Sequence, residues 1–241
     1  MGGAGLALPG NAWGALTNPA ALFGTSGPIL AVSWAPSPFG LRELGRSAFA
    51  CVEPMDRITP SISGVRYGFE LYRELTFGAG CAVDCGRGVR AGVSLTFNSL
   101  SVAGYGRGSC LGLDAGVLWE IVPGLSIGAS AQNLNTPSPG RSGENIPGTF
   151  GAGIAYAGPG TFLLACDLVQ DPRFPSEVRL GAEITAAEFL TLRAGVSTDP
   201  STCSAGLSLR FFPVVVEYAF TRHQELGYTH RFGLSLLLGG A

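Results

Sequence analysis

Residues 111–121, LGLDAGVLWEI, decide how the rest of the chain is read. In an extended backbone, side chains alternate between two faces. Leu111, Leu113, Ala115, Val117, Trp119 and Ile121 then share one face; Gly112, Asp114, Gly116, Leu118 and Glu120 share the other. The first face is wholly apolar, and the second carries small residues and both carboxylates. One such stretch would fit any half-buried sheet, but the chain repeats the division almost to its end. Val89, Ala91, Val93, Leu95 and Phe97 oppose Arg90, Gly92, Ser94, Thr96 and Asn98. Leu125, Ile127, Ala129 and Ala131 oppose Ser126, Gly128, Ser130 and Gln132. Val178, Leu180, Ala182 and Ile184 oppose Glu177, Arg179, Gly181 and Glu183, and Leu190, Leu192, Ala194 and Val196 oppose Thr191, Arg193, Gly195 and Ser197.

No Asp, Glu or Arg falls on the apolar face of these stretches. Lipid explains the exclusion, because an Arg or Lys on the outer face of a barrel at the bilayer midplane costs roughly 2–4 kcal/mol. A soluble sheet would instead turn Lys and Glu to water, and this chain has no Lys and only 13% charged residues. Hydrophobic residues make up 46% and mean hydropathy is +0.32. Glycine, at 37 residues, has about twice its usual share and suits crowded, curved strands. A net charge of −2 gives no footprint for nucleic acid. No apolar run reaches the roughly 18 residues of a membrane helix, which leaves a barrel open.

The sequence therefore predicts an all-β, antiparallel transmembrane β-barrel of about fourteen strands over residues 28–241, twelve remaining possible. Residues 1–27 do not alternate and are expected to form a short plug. Within them Asn18 reads as a helix N-cap, Pro19 as the first helical residue and Ala20 as the start of a short apolar turn. Strands are expected at 30–34, 47–53, 62–72 and 74–84 ahead of those above, and at 149–157, 161–170, 203–211, 214–221 and 227–238 among and after them. In the 62–72 stretch, Val65, Tyr67, Phe69 and Leu71 are expected outward, with Arg66 and Glu70 inward. Short connections such as Val122-Pro123-Gly124 alternate with longer ones such as 135–147, the asymmetry of outer-membrane barrels. Aromatic residues near strand ends, including Trp34, Trp119, Tyr156, Phe162 and Tyr228, fit interfacial girdles. Met1-Gly2-Gly3 carries neither a basic region nor a long apolar run, so the chain is expected to be a mature form or to begin late relative to an export signal.

The inward phase is expected to hold a polar network of Arg66, Glu70, Arg90, Asp114, Asp167, Glu177, Arg179, Glu183, Arg193, Arg210, Glu217 and Arg231. Charges of both signs behind a low-dielectric wall should pair. The six cysteines read as small hydrophobes. Cys81 and Cys85 would lie roughly 13 Å apart on one strand, too far to bridge each other. With no CxxC and no close His pair, no metal site or cofactor is expected. An enzyme is not expected either: His223 and His230 are the only near-neutral bases, no Gly-x-Ser-x-Gly occurs, and Arg179 lies between Glu177 and Glu183.

Several stretches resemble the FadL-like and PorV/PorQ-like bacterial outer-membrane barrels. They are MGGAG at the start, NPAAL at 18–22, YRELTFGAG at 72–80, residues 114–137, IPGTFGAGIAY at 146–156, LRAGV at 192–196 and VEYAF to THRFGLSL across 216–236. The resemblance implies an outer-membrane location, fourteen strands and an N-terminal plug containing Asn18, Pro19 and Ala20. It also implies one of two functions: a channel for small hydrophobic compounds with a lateral opening, or a type IX secretion barrel that binds exported proteins. Membrane lipid is the expected surrounding in either case.

Overall fold

The computed structural model describes residues 1–140 and 145–239. Fourteen strands among them form one closed antiparallel barrel. They are β1 (Ile29–Ala35), β2 (Arg46–Val52), β3 (Ile58–Gly68), β4 (Tyr72–Gly86), β5 (Val89–Val102), β6 (Gly106–Val122) and β7 (Leu125–Gln132), then β8 (Thr149–Ala157), β9 (Phe162–Gln170), β10 (Glu177–Ala187), β11 (Leu190–Thr198), β12 (Ser201–Phe211), β13 (Val214–His223) and β14 (Gly227–Leu237). Each strand pairs with its chain neighbours, and β1 closes the ring on β14 through Ile29–Leu237 to Trp34–Phe232. Closure leaves no free strand edge, which a membrane requires because lipid offers no hydrogen bonds. The tight turns follow from local chemistry. At β6–β7, Pro123 sets φ and Gly124 takes φ +85°, the residue order of a type II turn. At β4–β5, Arg87 and Gly88 both have positive φ, which matches the twist of the hairpin. Residues 141–144 of the expected loop 135–147 lie outside the described residues.

The apolar phase faces out. Val117, Leu180 and Leu192 are 52%, 46% and 42% exposed, with no second layer of protein over them. An exterior of Val, Leu, Ile, Phe and Trp is a surface for lipid, not water. The core is consequently not between two sheets. Among the described residues, eight of the seventeen buried apolar side chains belong to residues 1–27. Ala12, Ala15 and Leu22 pack on Ala50, Val52 and Ala82 of the wall; Ala4 and Ala7 pack on Ala155 and Ala165; Ala20 and Ala21 pack on Leu118. The N-terminal segment thus lies within the ring, held by its inner face.

The phase of β3 differs from the sequence expectation. Thr59, Ser61 and Ser63 are buried inward, and Ile58 and Ile62 are exposed outward. Arg66 therefore faces outward, opposite Ser47 and Leu75. Glu70 lies in the β3–β4 turn, outside any strand. Neither residue belongs to the lumen. The misreading has a physical origin: Val65 and Tyr67 are apolar, yet they line an internal cavity, so their hydrophobicity points away from lipid.

Candidate functional site

The inner surface and the segment it holds form the candidate site. Asn18 is fully buried. Its Oδ1 accepts from Ala20 N–H (3.1 Å), capping the 3-10 turn Pro19–Leu22, and its Nδ2 donates to the carbonyls of Leu6 (2.6 Å) and Val117 (3.2 Å). One side chain thus ties two parts of the segment to β6. Asp167, 1% exposed, accepts at Oδ2 from the N–H groups of Gly5 (2.7 Å) and Leu6 (3.0 Å). Ser126 donates to Ala7 O (2.6 Å), Gln132 to Leu16 O (2.7 Å), and Gly2 N–H donates to Ser204 Oγ (2.9 Å).

Glycine makes these approaches possible. Three cross-strand glycine pairs line the inner wall: Gly92–Gly116, Gly128–Gly153 and Gly181–Gly195. A Cβ at Gly92 or Gly116 would collide with residues 18–20, at Gly128 with Leu6, at Gly153 with the Asp167 carboxylate that anchors Gly5 and Leu6, and at Gly181 or Gly195 with Met1. Sequence reasoning placed Gly92, Gly116, Gly128, Gly181 and Gly195 on the inward phase but assigned them to strand curvature. The available signal was their recurrence on that face in strand after strand.

Several of the remaining inward charges pair around the segment. Arg90 meets Glu120 at 3.0 Å, with its guanidinium 5.5 Å from the ring centre of Phe23. Arg179 meets Glu177 at 2.7 Å, and Arg193 lies 2.5 Å from both Glu183 and Glu217. Asp114 accepts from Ser94 (3.1 Å) and from Asn133 N–H (2.8 Å). Arg210 and Arg231 face inward, opposite Val215 and Ala219, with no ion pair among the described residues. Arg193→Ala is expected to cost about 1–3 kcal/mol, because two half-buried carboxylates are left facing one another. The combined change Arg193→Ala, Glu183→Gln, Glu217→Gln should recover most of that loss. Thermal unfolding in detergent, followed by the heat-dependent gel shift, reads both.

Between residues 15–16 and the wall is a cavity of about 430 Å³, reaching the barrel end opposite the termini. Val65, Tyr67 and Leu16 form its apolar part, and Glu74, Asn98 and Asp114 its polar part. A second, apolar groove of about 280 Å³ lies against the outer wall among Val32, Phe49, Gly64 and Phe77. Val65 lines both spaces. At β2–β3, where Ala48 pairs with Val65, one layer of small side chains separates lumen from exterior.

A barrel of this fold has known counterparts. The solved structure of the CymD monoaromatic hydrocarbon channel superposes with a TM-score of 0.79 at 15% identity, over 100% of this chain and 96% of that one. The toluene transporters TbuX of Ralstonia pickettii and TodX of P. putida give TM-scores of 0.71 and 0.72 at 14% and 13% identity. They cover 98% and 100% of this chain and 95% and 97% of theirs. The fold is that of these hydrocarbon channels. No family model matches the chain, and no curated protein matches it.

The anchoring of the segment can be tested directly. Asp167→Ala removes two hydrogen bonds to a carboxylate, a loss of about 3 kcal/mol, from the point that fixes Gly5 and Leu6. A spin label placed at residue 9 should become mobile in that variant while the barrel stays folded. An unchanged label spectrum would show that Asp167 does not hold the segment.

Proposed function

We propose that the protein is an outer-membrane channel for small hydrophobic compounds, with residues 1–27 as its plug. Asn18, Pro19 and Ala20 form the plug's anchor, and Arg90, Asp114, Asp167, Glu177, Arg179, Glu183, Arg193 and Glu217 form the polar shell that seats it. The observation that carries this reading is the juxtaposition at Val65, where an internal cavity and a lipid-facing apolar groove meet across one thin stretch of wall. A hydrophobic solute entering from outside gains nothing by crossing the barrel into water. A side exit delivers it to hydrocarbon, where each buried CH₂ is worth about 0.8 kcal/mol. The shared fold supports the same reading, since the superposed structures are a monoaromatic hydrocarbon channel and toluene transporters. The alternative, a type IX secretion barrel that binds exported proteins, has no support among them. Vesicles with a lipopolysaccharide outer leaflet, a poor solvent for apolar solutes, should take up labelled toluene faster when they carry the protein than when they do not. Equal uptake across a range of protein densities would refute the channel.

A further inference from the structure

The structure places a group of arginines where lipid headgroups meet the barrel. Along the strands, the described carboxylates of β4–β6 (Glu74, Asp84, Asp114 and Glu120) sit on the inward phase. On the outward phase of the same wall are Arg66, Arg73 and Arg107. Arg73 lies opposite Gly68 and Ser101, and Ser101 lies opposite Arg107. Arg66 is two residues below that row, opposite Leu75. All three are exposed and lie at the strand ends away from the termini, the end that carries the longer connections 36–45, 133–148 and 171–176 and so the outer side of an outer-membrane barrel. Arg107 Nε donates to Ser99 Oγ (2.8 Å). None of the three has a carboxylate partner among the described residues.

Two further features set their depth and surroundings. Arg66 shares its ladder row with Ser47 and Trp34, and Trp34 continues to Phe232 and Tyr218. That aromatic cluster marks a membrane–water interface, where an outward Arg is tolerated. Arg66 also lines the apolar groove formed by Val32, Phe49, Gly64 and Phe77. Cationic heads above an acyl-sized apolar groove match one kind of molecule. Guanidinium groups bind phosphate through paired N–H donors, and strands about 4.8 Å apart spread the three arginines over a patch wide enough for more than one phosphate.

We propose that this patch binds a phosphate-bearing lipid of the outer leaflet, with an acyl chain in the Phe49–Phe77 groove and its phosphates on Arg66, Arg73 and Arg107. Three arginines against one exposed carboxylate off the inward phase, Glu70 of the β3–β4 turn, leave a net positive charge that favours a lipid carrying net negative charge over a zwitterionic one.

The test is native mass spectrometry of the intact protein in neutral detergent, titrated with bisphosphorylated lipid A and with the same lipid dephosphorylated. The phosphorylated form should bind about tenfold more tightly, the equivalent of one charged hydrogen bond or less, and the preference should shrink as ionic strength rises. Arg66→Gln, Arg73→Gln and Arg107→Gln together should abolish the preference. The triple lysine variant should keep part of it, because the charge remains while the paired donors do not. Arg222→Gln, an outward arginine on β13, should leave it unchanged. All variants are checked for the compact, heat-sensitive gel band, so a folding defect is seen separately. Equal binding of both lipids by the wild type, or an unaltered preference in the glutamine variant, overturns the proposal. So does complete competition by equimolar inorganic phosphate, which would leave the groove no part in binding. None of these outcomes bears on solute uptake.

Discussion

Removing residues 2–24 opens the barrel to water: liposomes carrying the truncated protein admit a small neutral sugar at least about tenfold faster than those carrying the whole chain, as expected when an enclosed lumen becomes an aqueous one. The reason lies in what faces the lumen once the segment is gone. Ser126, Gln132 and Asp167 now bond to backbone of the segment, and without it they would be hydrated. The wall itself has no need of the segment for hydrogen bonding, because every strand is paired on both edges. The truncated barrel should unfold at lower temperature, since the buried alanines of the wall lose their partners, but it should remain closed. A milder version needs no deletion. Gly116→Leu puts side-chain atoms where Asn18 Oδ1 lies and should displace the segment's anchor, giving a smaller rise in sugar flux. Unchanged flux in both would mean that the segment does not block the lumen.

Val65→Trp should do the opposite to a different solute. The side chain at 65 borders both the internal cavity and the outer groove. An indole there fills the cavity's apolar side and thickens the one place where the wall is made of Ala48, Gly64 and Val65. Uptake of labelled toluene should fall about tenfold, the equivalent of roughly 1.4 kcal/mol in the barrier. The slow leak of sugar should not change, because the segment is untouched. Ile127→Trp, outward on β7 and far from the groove, is the control and should behave as wild type. Toluene uptake at the wild-type rate in Val65→Trp would exclude a route past β2–β3.

How much of this was legible beforehand depended on whether a side chain's partner was near in sequence or far. The period-two alternation at 89–98, 111–121, 178–184 and 190–196 is local. It makes one ribbon face unfit for water and the other unfit for lipid, and only a barrel in a membrane satisfies both at once. Asn18 and Pro19 were legible for the same reason, since a cap and the turn it starts are two residues apart. The pairing of Glu177 with Arg179, two residues apart on one face, was also open to reading.

What the tertiary structure alone decided involved partners far along the chain. Arg66 and Glu70 were misplaced because Val65 and Tyr67 are hydrophobic for the sake of a cavity, and the cavity exists only when residues 15–16 stand across from them. Arg193 joins Glu183 and Glu217 on separate strands, a triad fixed by register. The three glycine pairs could be counted in the sequence, but their purpose lies in backbone brought up against them from as many as 194 residues away. Alternation along a strand specifies which side meets lipid. Which groups meet across the interior is set by closure of the ring, and no short stretch of sequence carries that information.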